Sequence, residues 1–321
     1  MKADEMLLVG LPNHQTTPIN MNDKLRIIMA LVLATTLPVF AQNRLPAGTR
    51  IERDIVYGKA EGRELKLDLF LPPSDEVKPL IIWIHGGAWR EGSKDWPSPA
   101  QQFVGSGFAV AHVSYRLSQE AKWPAQINDC KAAVRWLRAN AAQYRLDPKR
   151  FVAWGGSAGG HLVAVLGTSG GVAELEGMGN DLKVSSSVQA VVDWFGPSDL
   201  LQLSKFRSNI AHDDSKSPLS QLVGGPIQEN KNAAAQANPI TYIGRVEVPP
   251  PFLIMHGTRD DIVPFNQSEL LVAALKTAKS DVTFRPVIGA GHGFNDEQSI
   301  APVSEFFARV LGKTNEVKSG Q

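Results

Sequence analysis

Residues 155–161 read GGSAGGH, and Gly155, Ser157 and Gly159 within them make a G-x-S-x-G pattern. An apolar run, 151–154, precedes it and a helical pattern follows. A serine on a sharp strand-to-helix turn needs neighbours without bulk, because the backbone is strained and the two elements pass closely. Such a turn lifts the Ser157 Oγ out of the sheet. It also points the N–H of Ala158, at the helix N-terminus, towards the place where a tetrahedral oxyanion would form. The pentapeptide alone fits a Gly-rich turn or a phosphate loop equally well, but a Walker loop requires Gly-Lys-Ser/Thr and no lysine stands here. A second Gly-rich loop, HGGAW at 85–89, directly follows the run LIIWIH. Its glycines let the N–H groups of Gly87 and Ala88 turn to the same oxyanion, while His85 reads as a residue that pins the loop.

A nucleophilic serine needs a base. Seven histidines are available: His14, His85, His112, His161, His212, His256 and His292. His112 and His161 fall inside a strand and a helix pattern and read as packed residues. His212 reads as a solvated loop residue beside Asp213 and Asp214, and His256 as the anchor of a turn. His292 lies in GAGHGF (289–294), after the last strand pattern, at the same sheet end as Ser157 and free to present its ring. A buried carboxylate would hold its tautomer and stabilise the imidazolium. The segment HGTRDDIVP (256–264) offers Asp260 and Asp261, and Asp193 after an earlier strand is an alternative. Asp129 reads as a structural ion-pair member, and Cys130, on an apolar helical stripe, as a buried inert thiol.

These residues must be carried by elements. Strand patterns occur at 51–57, 64–71, 80–85, 108–114, 151–154, 188–195, 252–256 and 282–287. Leu65, Leu67, Leu69 and Leu71 alternate along one strand, whereas 80–85 is continuously apolar, as in a strand covered on both faces. Helical patterns at 125–144, 158–168, 267–279 and 299–311 lie between them. The alternation implies a mostly parallel eight-stranded α/β sheet with helices on both faces and an antiparallel edge at its start. Residues 198–242 break the rhythm and read as a polar insertion after the sixth strand. Ser217-Pro218 there suits a helix N-cap followed by Pro at N1.

The chain has 321 residues, 43% of them hydrophobic and 20% charged, which excludes a disordered, collagen-like or coiled-coil protein. A formal charge of +1 argues against a nucleic-acid-binding surface. One cysteine rules out an intramolecular disulfide and a Cys-based zinc site. From Met21, Lys24 and Arg26 precede an apolar run, 27–39. Val39 and Ala41 then stand at signal-peptidase positions before Gln42. The run is shorter than the ~20 residues of a membrane span, so no stable membrane anchor is expected. Residues 1–41 are thus expected to be leader and signal peptide, with Met21 the natural start. A single mature domain, 42–321, would follow in the periplasm or outside the cell.

The motifs HGGAW, GGSAGGH, VVDWFGPSDL (191–200), HGTRDDIVP and GAGHGF, in this order, resemble those of the α/β-hydrolase esterases. Within that fold the chain is similar to the hormone-sensitive-lipase-like branch and, more closely, to the bacterial feruloyl/acetyl esterase group. The resemblance covers residues 86–294. It implies Ser157, Asp260 and His292 as a catalytic triad and Gly87, Ala88 and Ala158 as oxyanion donors. It also implies ester hydrolysis without cofactor or metal. The lipase-like branch usually has glycine where this chain has Ala88, and often an N-terminal helical cap, which only two strands replace here. The expected substrate is a small-molecule or polysaccharide-linked ester of a short or aromatic acid. Trp89, Trp96, Trp123 and Trp194, at or near loops of the active end, offer flat rings that could stack on it, with Trp89 and Trp194 the named candidates for binding it. A prolyl-oligopeptidase-type peptidase would need a propeller that 280 residues cannot hold. An inactive binding protein on this fold would usually have lost Ser or His.

Overall fold

Apolar alternation decides which way each strand faces. In the computed structural model, which describes residues 45–177, 181–245, 248–294 and 297–312, Leu80, Ile82 and Ile84 of strand β3 (Lys78–Ile84) enter one core and Ile81 and Trp83 the other. Strand β5 (Leu146–Gly156) divides likewise, Phe151 and Ala153 against Val152 and Trp154. Period 2 in a strand covered on both faces produces this split. The remaining strands are β1 (Arg50–Ala60), β2 (Arg63–Leu71), β4 (Ala109–Val113), β6 (Ala190–Trp194), β7 (Phe252–Gly257) and β8 (Val282–Val287), in the spatial order β1-β2-β4-β3-β5-β6-β7-β8. β1 pairs antiparallel with β2 and β2 with β4; all other pairings are parallel. The sheet is therefore mostly parallel and eight-stranded with an antiparallel edge, as the sequence implies.

Helices α1 (Ala125–Ala139), α2 (Ala158–Thr168) and α5 (Asn266–Thr277) bury their stripes in one core. The 3-10 helix Pro99–Ser106 and α6 (Glu297–Leu311) cover the other. Helix α1 is shorter than the pattern at 125–144. It stops at Asn140, whose side chain and N–H both bond the Trp136 carbonyl. Ala141 still packs inward, so the apolar spacing outlasts the helix itself.

Residues 198–242 follow β6 and hold α3 (Pro218–Val223), α4 (Lys231–Ala237) and two 3-10 turns. Ser217 caps α3, its Oγ accepting from Ser220 N at 3.1 Å, with Pro218 next. The segment is less polar in its packing than in its composition. Leu200, Leu203, Leu219, Leu222, Ile227 and Tyr242 all join the α1–α2 core. His212, expected to be solvated, is 5% exposed, with Nε2 3.0 Å from Ser208 Oγ and 3.1 Å from the Ile262 carbonyl. Its neighbours Asp213 and Asp214 mark a polar stretch, but the segment folds back onto the loop after β7, which no local pattern encodes.

The described residues all fall in one compact unit. The expected leader, 1–41, and the expected mature start near Gln42 lie outside the described residues. Among the described residues no helix is long and apolar enough to cross a membrane.

Candidate active site

Strand β5 ends at Gly156, and Ser157 stands between it and α2 with φ 58° and ψ −121°. For a non-glycine residue that conformation costs of order 1–3 kcal/mol and must be imposed by its surroundings. Two bonds impose it: Ser157 N donates to Trp194 O at 2.9 Å, and Ser157 O accepts from His161 N at 2.9 Å. Packing adds to this, since a Cβ on Gly159 would overlap the Ile84 carbonyl oxygen and one on Gly155 would stand 2.5 Å from the Gly159 backbone. The glycines of GGSAGGH are there because helix and strand leave no room for side chains.

The loop after β3 lies against this turn. A Cβ on Gly86 would be 2.9 Å from Gly156 O and 3.5 Å from Ser157 Cβ. Gly87, Ala88 and Trp89 are all left-handed, at φ 92°, 53° and 58°. Gly87 O accepts from Arg90 N and Glu91 N, which closes the loop. The N–H groups of Gly87, Ala88 and Ala158 make no backbone hydrogen bond among the described residues. His85 sits beneath. Its ring stacks on Tyr115 at 4.3 Å, Nδ1 donates to Gly86 O at 2.9 Å, and burial pushes its pKa down to about 4. It is a neutral brace, as the loop requires.

His292, on the loop after β8, reaches both Ser157 and Asp260. Ser157 Oγ is 3.0 Å from His292 Nε2, and His292 Nδ1 is 2.8 Å from Asp260 Oδ2. With Nδ1–H donating to the carboxylate, Nε2 is left bare to accept the serine proton. The close approach depends on another glycine: a Cβ on Gly257, which ends β7, would stand 2.5 Å from Ala290 O. The Phe195 ring meets the His292 ring edge to face at 4.8 Å. Burial pushes the Asp260 carboxyl up. Hydrogen bonds from His256 and His292 outweigh that and hold it well below the usual carboxylate range. Asp261 faces solvent, where Asn209 Nδ2 donates to its Oδ2 at 2.5 Å. Asp193 is buried; its Oδ1 accepts from Gly196 N at 2.9 Å, and its bonds do not reach His292. Asp129 holds Arg116 through both carboxylate oxygens, at 2.8 and 2.9 Å, and Cys130 is buried.

Trp89 and Trp194 do not serve as a substrate surface. They are 3% and 2% exposed. The Trp89 Nε1 donates to His161 Nδ1 at 3.2 Å, and Trp194 packs edge-on against Trp154 at 4.9 Å. Position near a loop misled for these two, because Trp89 turns inward from its loop and Trp194 is the buried last residue of β6. Trp96, at 43% exposure, is the most exposed of the tryptophans, and its ring lies 6.1 Å from that of His85. Sequence reasoning also left two contacts unnoticed, the His256 bond to Asp260 and the Phe195 ring on His292. The four-residue spacing of His256 and Asp260 is the one local signal for the first. Among the described residues no group of three or more His, Cys, Asp or Glu side chains is arranged to hold a metal ion.

A mostly parallel sheet with a strained serine turn after β5, an acid loop after β7 and a histidine loop after β8 defines an α/β-hydrolase. The chain belongs to the BD-FAE family, whose model matches residues 67–275. It is 30% identical to Esterase LipQ of Mycobacterium tuberculosis over 280 residues, which are 83% of this chain and 64% of LipQ. The chain thus spans less than two thirds of that curated relative's length. Among solved structures it resembles a truncated carbohydrate esterase from gut microbiota, with a TM-score of 0.74 and 34% identity, covering 83% of this chain and 99% of that one. It also resembles a bifunctional GH43-CE protein of Bacteroides eggerthii, with a TM-score of 0.74 and 36% identity, covering 82% of this chain and 35% of that one.

Proposed function

We propose that the protein is an exported serine carboxylesterase acting on short-chain or aromatic esters, with acetyl or feruloyl groups on plant polysaccharide as the natural class. The observation that carries the chemistry is the continuous path from Ser157 Oγ through His292 to Asp260, 3.0 and 2.8 Å long. His292 Nε2 takes the Ser157 proton as Oγ attacks the ester carbonyl. The oxyanion that forms lies against the N–H groups of Gly87, Ala88 and Ala158, which are fixed before substrate arrives. His292 then gives the proton to the departing alkoxide, leaving an acyl-serine. Water, deprotonated by His292, attacks the acyl carbonyl; the acid leaves and Ser157 recovers its proton. Asp260 stays ionised throughout, which its low pKa favours.

The kinship with carbohydrate esterases supports a sugar-linked ester, and the signal-like segment from Met21 supports export to a polymer that cannot enter the cell. A panel of p-nitrophenyl esters, methyl ferulate, acetylated xylan and a peptide amide tests the reading. Turnover of esters alone, abolished by a serine-directed fluorophosphonate, is expected. Peptide cleavage would transfer the protein to the peptidases, and inertness to the fluorophosphonate would remove the acyl-enzyme. N-terminal sequencing of the protein from its native host tests export. A mature start near Gln42 is expected, and an intact Met1 terminus on cytosolic protein would overturn that part.

A further inference from the structure

The carboxyl of Asp260 is held from four directions. Its Oδ1 accepts the backbone N–H groups of Ile262 and Val263, both at 2.9 Å. Its Oδ2 accepts two imidazole N–H groups, His292 Nδ1 at 2.8 Å and His256 Nε2 at 3.1 Å. Four donors use the four lone-pair positions of a carboxylate, so the group has no second orientation open to it.

His256 is the donor that takes no part in the proton path. It is fully buried at the end of β7. Its Nε2 also lies 3.0 Å from the Val263 carbonyl. A carbonyl and a carboxylate can only accept, so Nε2 must carry the hydrogen. Nδ1 is then bare, and Ser268 Oγ on α5 donates to it at 2.7 Å. One tautomer is therefore dictated from both sides. The rings of Phe195 and Phe265, centred 6.4 and 5.5 Å away, enclose the imidazole. The charged groups that face it are Asp260 and, from β6, Asp193. From α5 the Ser268 hydroxyl reaches it. His292 in turn faces Asp260, Ser157 and the Phe195 ring.

We propose that His256 is a positioning residue that, by sharing Asp260 Oδ2 with His292, sets how tightly the carboxylate holds a proton on His292 and so the pH at which the base becomes available. The proposal rests on the reading of Ser157, His292 and Asp260 as the triad. Two donors on one oxygen divide its charge. Without the second donor Oδ2 turns more fully to His292 and steadies the imidazolium. The Ser268 hydroxyl strengthens the effect, because donation to Nδ1 makes the opposite N–H a better donor.

Two amide substitutions separate this role from packing. In His256→Asn the amide reaches only the place of Nδ1, so the bond to Ser268 can persist while Asp260 loses its donor. In His256→Gln the amide reaches the place of Nε2 and can donate to Oδ2. The measurement is the pH profile of kcat/KM with p-nitrophenyl acetate. The acid limb of His256→Asn is expected to move up by about half to one pH unit, with His256→Gln close to the parent enzyme. Ser268→Ala, a milder change, is expected to move the limb the same way by less, and it keeps the test open should His256→Asn not fold. Proton NMR reads the same coupling without turnover. The Asp260–His292 hydrogen-bond signal is expected further downfield in His256→Asn. A lower rate with an unmoved acid limb in His256→Asn and Ser268→Ala would make His256 merely structural and overturn the proposal, as would equal shifts in the Asn and Gln variants. Retained activity in Ser157→Ala would instead refute the triad reading.

Discussion

Ser157 combines a strained backbone with a half-buried side chain whose oxygen meets His292, so its oxygen can be removed without opening the core. Ser157→Ala is expected to keep the parent melting curve and to lose roughly 10⁴ to 10⁶ in kcat, measured with p-nitrophenyl acetate. Asp260 and Asp261 are adjacent in the chain yet face opposite ways, one towards His292 and one towards Asn209 in solvent. Asp260→Asn should therefore lower kcat by orders of magnitude, whereas Asp261→Asn should change it less than about threefold; the reverse order would reassign the acid. Asp193 differs from both. Burial raises its pKa from 3.8 to about 6, against the bond from Gly196. Its Oδ2 has no hydrogen-bond partner among the described residues. A folded-state pKa above the unfolded one means that the native state binds the extra proton, so stability falls as pH rises from about 4 to about 6. Asp193→Asn lacks this penalty. Its stability relative to the parent should improve across that window by up to about 3 kcal/mol, whatever the constant cost of the amide. Urea unfolding at pH 4, 5, 6 and 7 checks the slope, and parallel curves would contradict a raised carboxyl pKa.

At the scale of elements, the closeness of β3, β5 and α2 determines where Ser157 stands. Gly159 is the tightest point of that packing, its missing Cβ replaced by the Ile84 carbonyl oxygen. Gly159→Ala gains helix propensity at α2 but must push strand and helix apart. A loss of about 3 kcal/mol or more is expected in urea unfolding, together with a lowered kcat, since the oxyanion loop rests on the same turn. The insertion is the other element that matters. Through Ser208, Asn209 and His212 it bonds the carbonyls of Asp261 and Ile262 and so steadies the loop that presents Asp260.

At the scale of the molecule, the insertion gives most of its large apolar residues to the core, while Phe206 stays exposed. Leu200, Leu203, Leu219 and Leu222 are buried against it, while Lys205, Arg207, Asp213, Asp214 and Lys216 remain outside. A lipase needs a long apolar trough and an apolar cover for it, and a segment already committed to the core has little apolar surface left for that task. The acetate or butyrate p-nitrophenyl ester is therefore expected to exceed the palmitate ester in kcat/KM by at least about tenfold, a difference of ~1.4 kcal/mol in transition-state binding. A preference for palmitate would make the protein a lipase.

Much of this was legible in one dimension because it is local. Period-2 alternation, helical stripes and the glycines of the serine turn are each imposed by backbone geometry within a few residues. They suffice for an eight-stranded sheet with its antiparallel edge. Chain order alone then puts Ser157, Asp260 and His292 after three parallel strands, β5, β7 and β8, at one end of the sheet. What the sequence left open depends on neighbours far along the chain. Trp89 is buried because His161, seventy-two positions on, meets its ring. His212 is buried because the segment that carries it folds onto Ile262, fifty positions on. The sharing of one oxygen by His256 and His292 follows from the direction in which side chains leave a turn. That direction is settled only when sheet, insertion and loops pack together and each buried polar atom must find a partner.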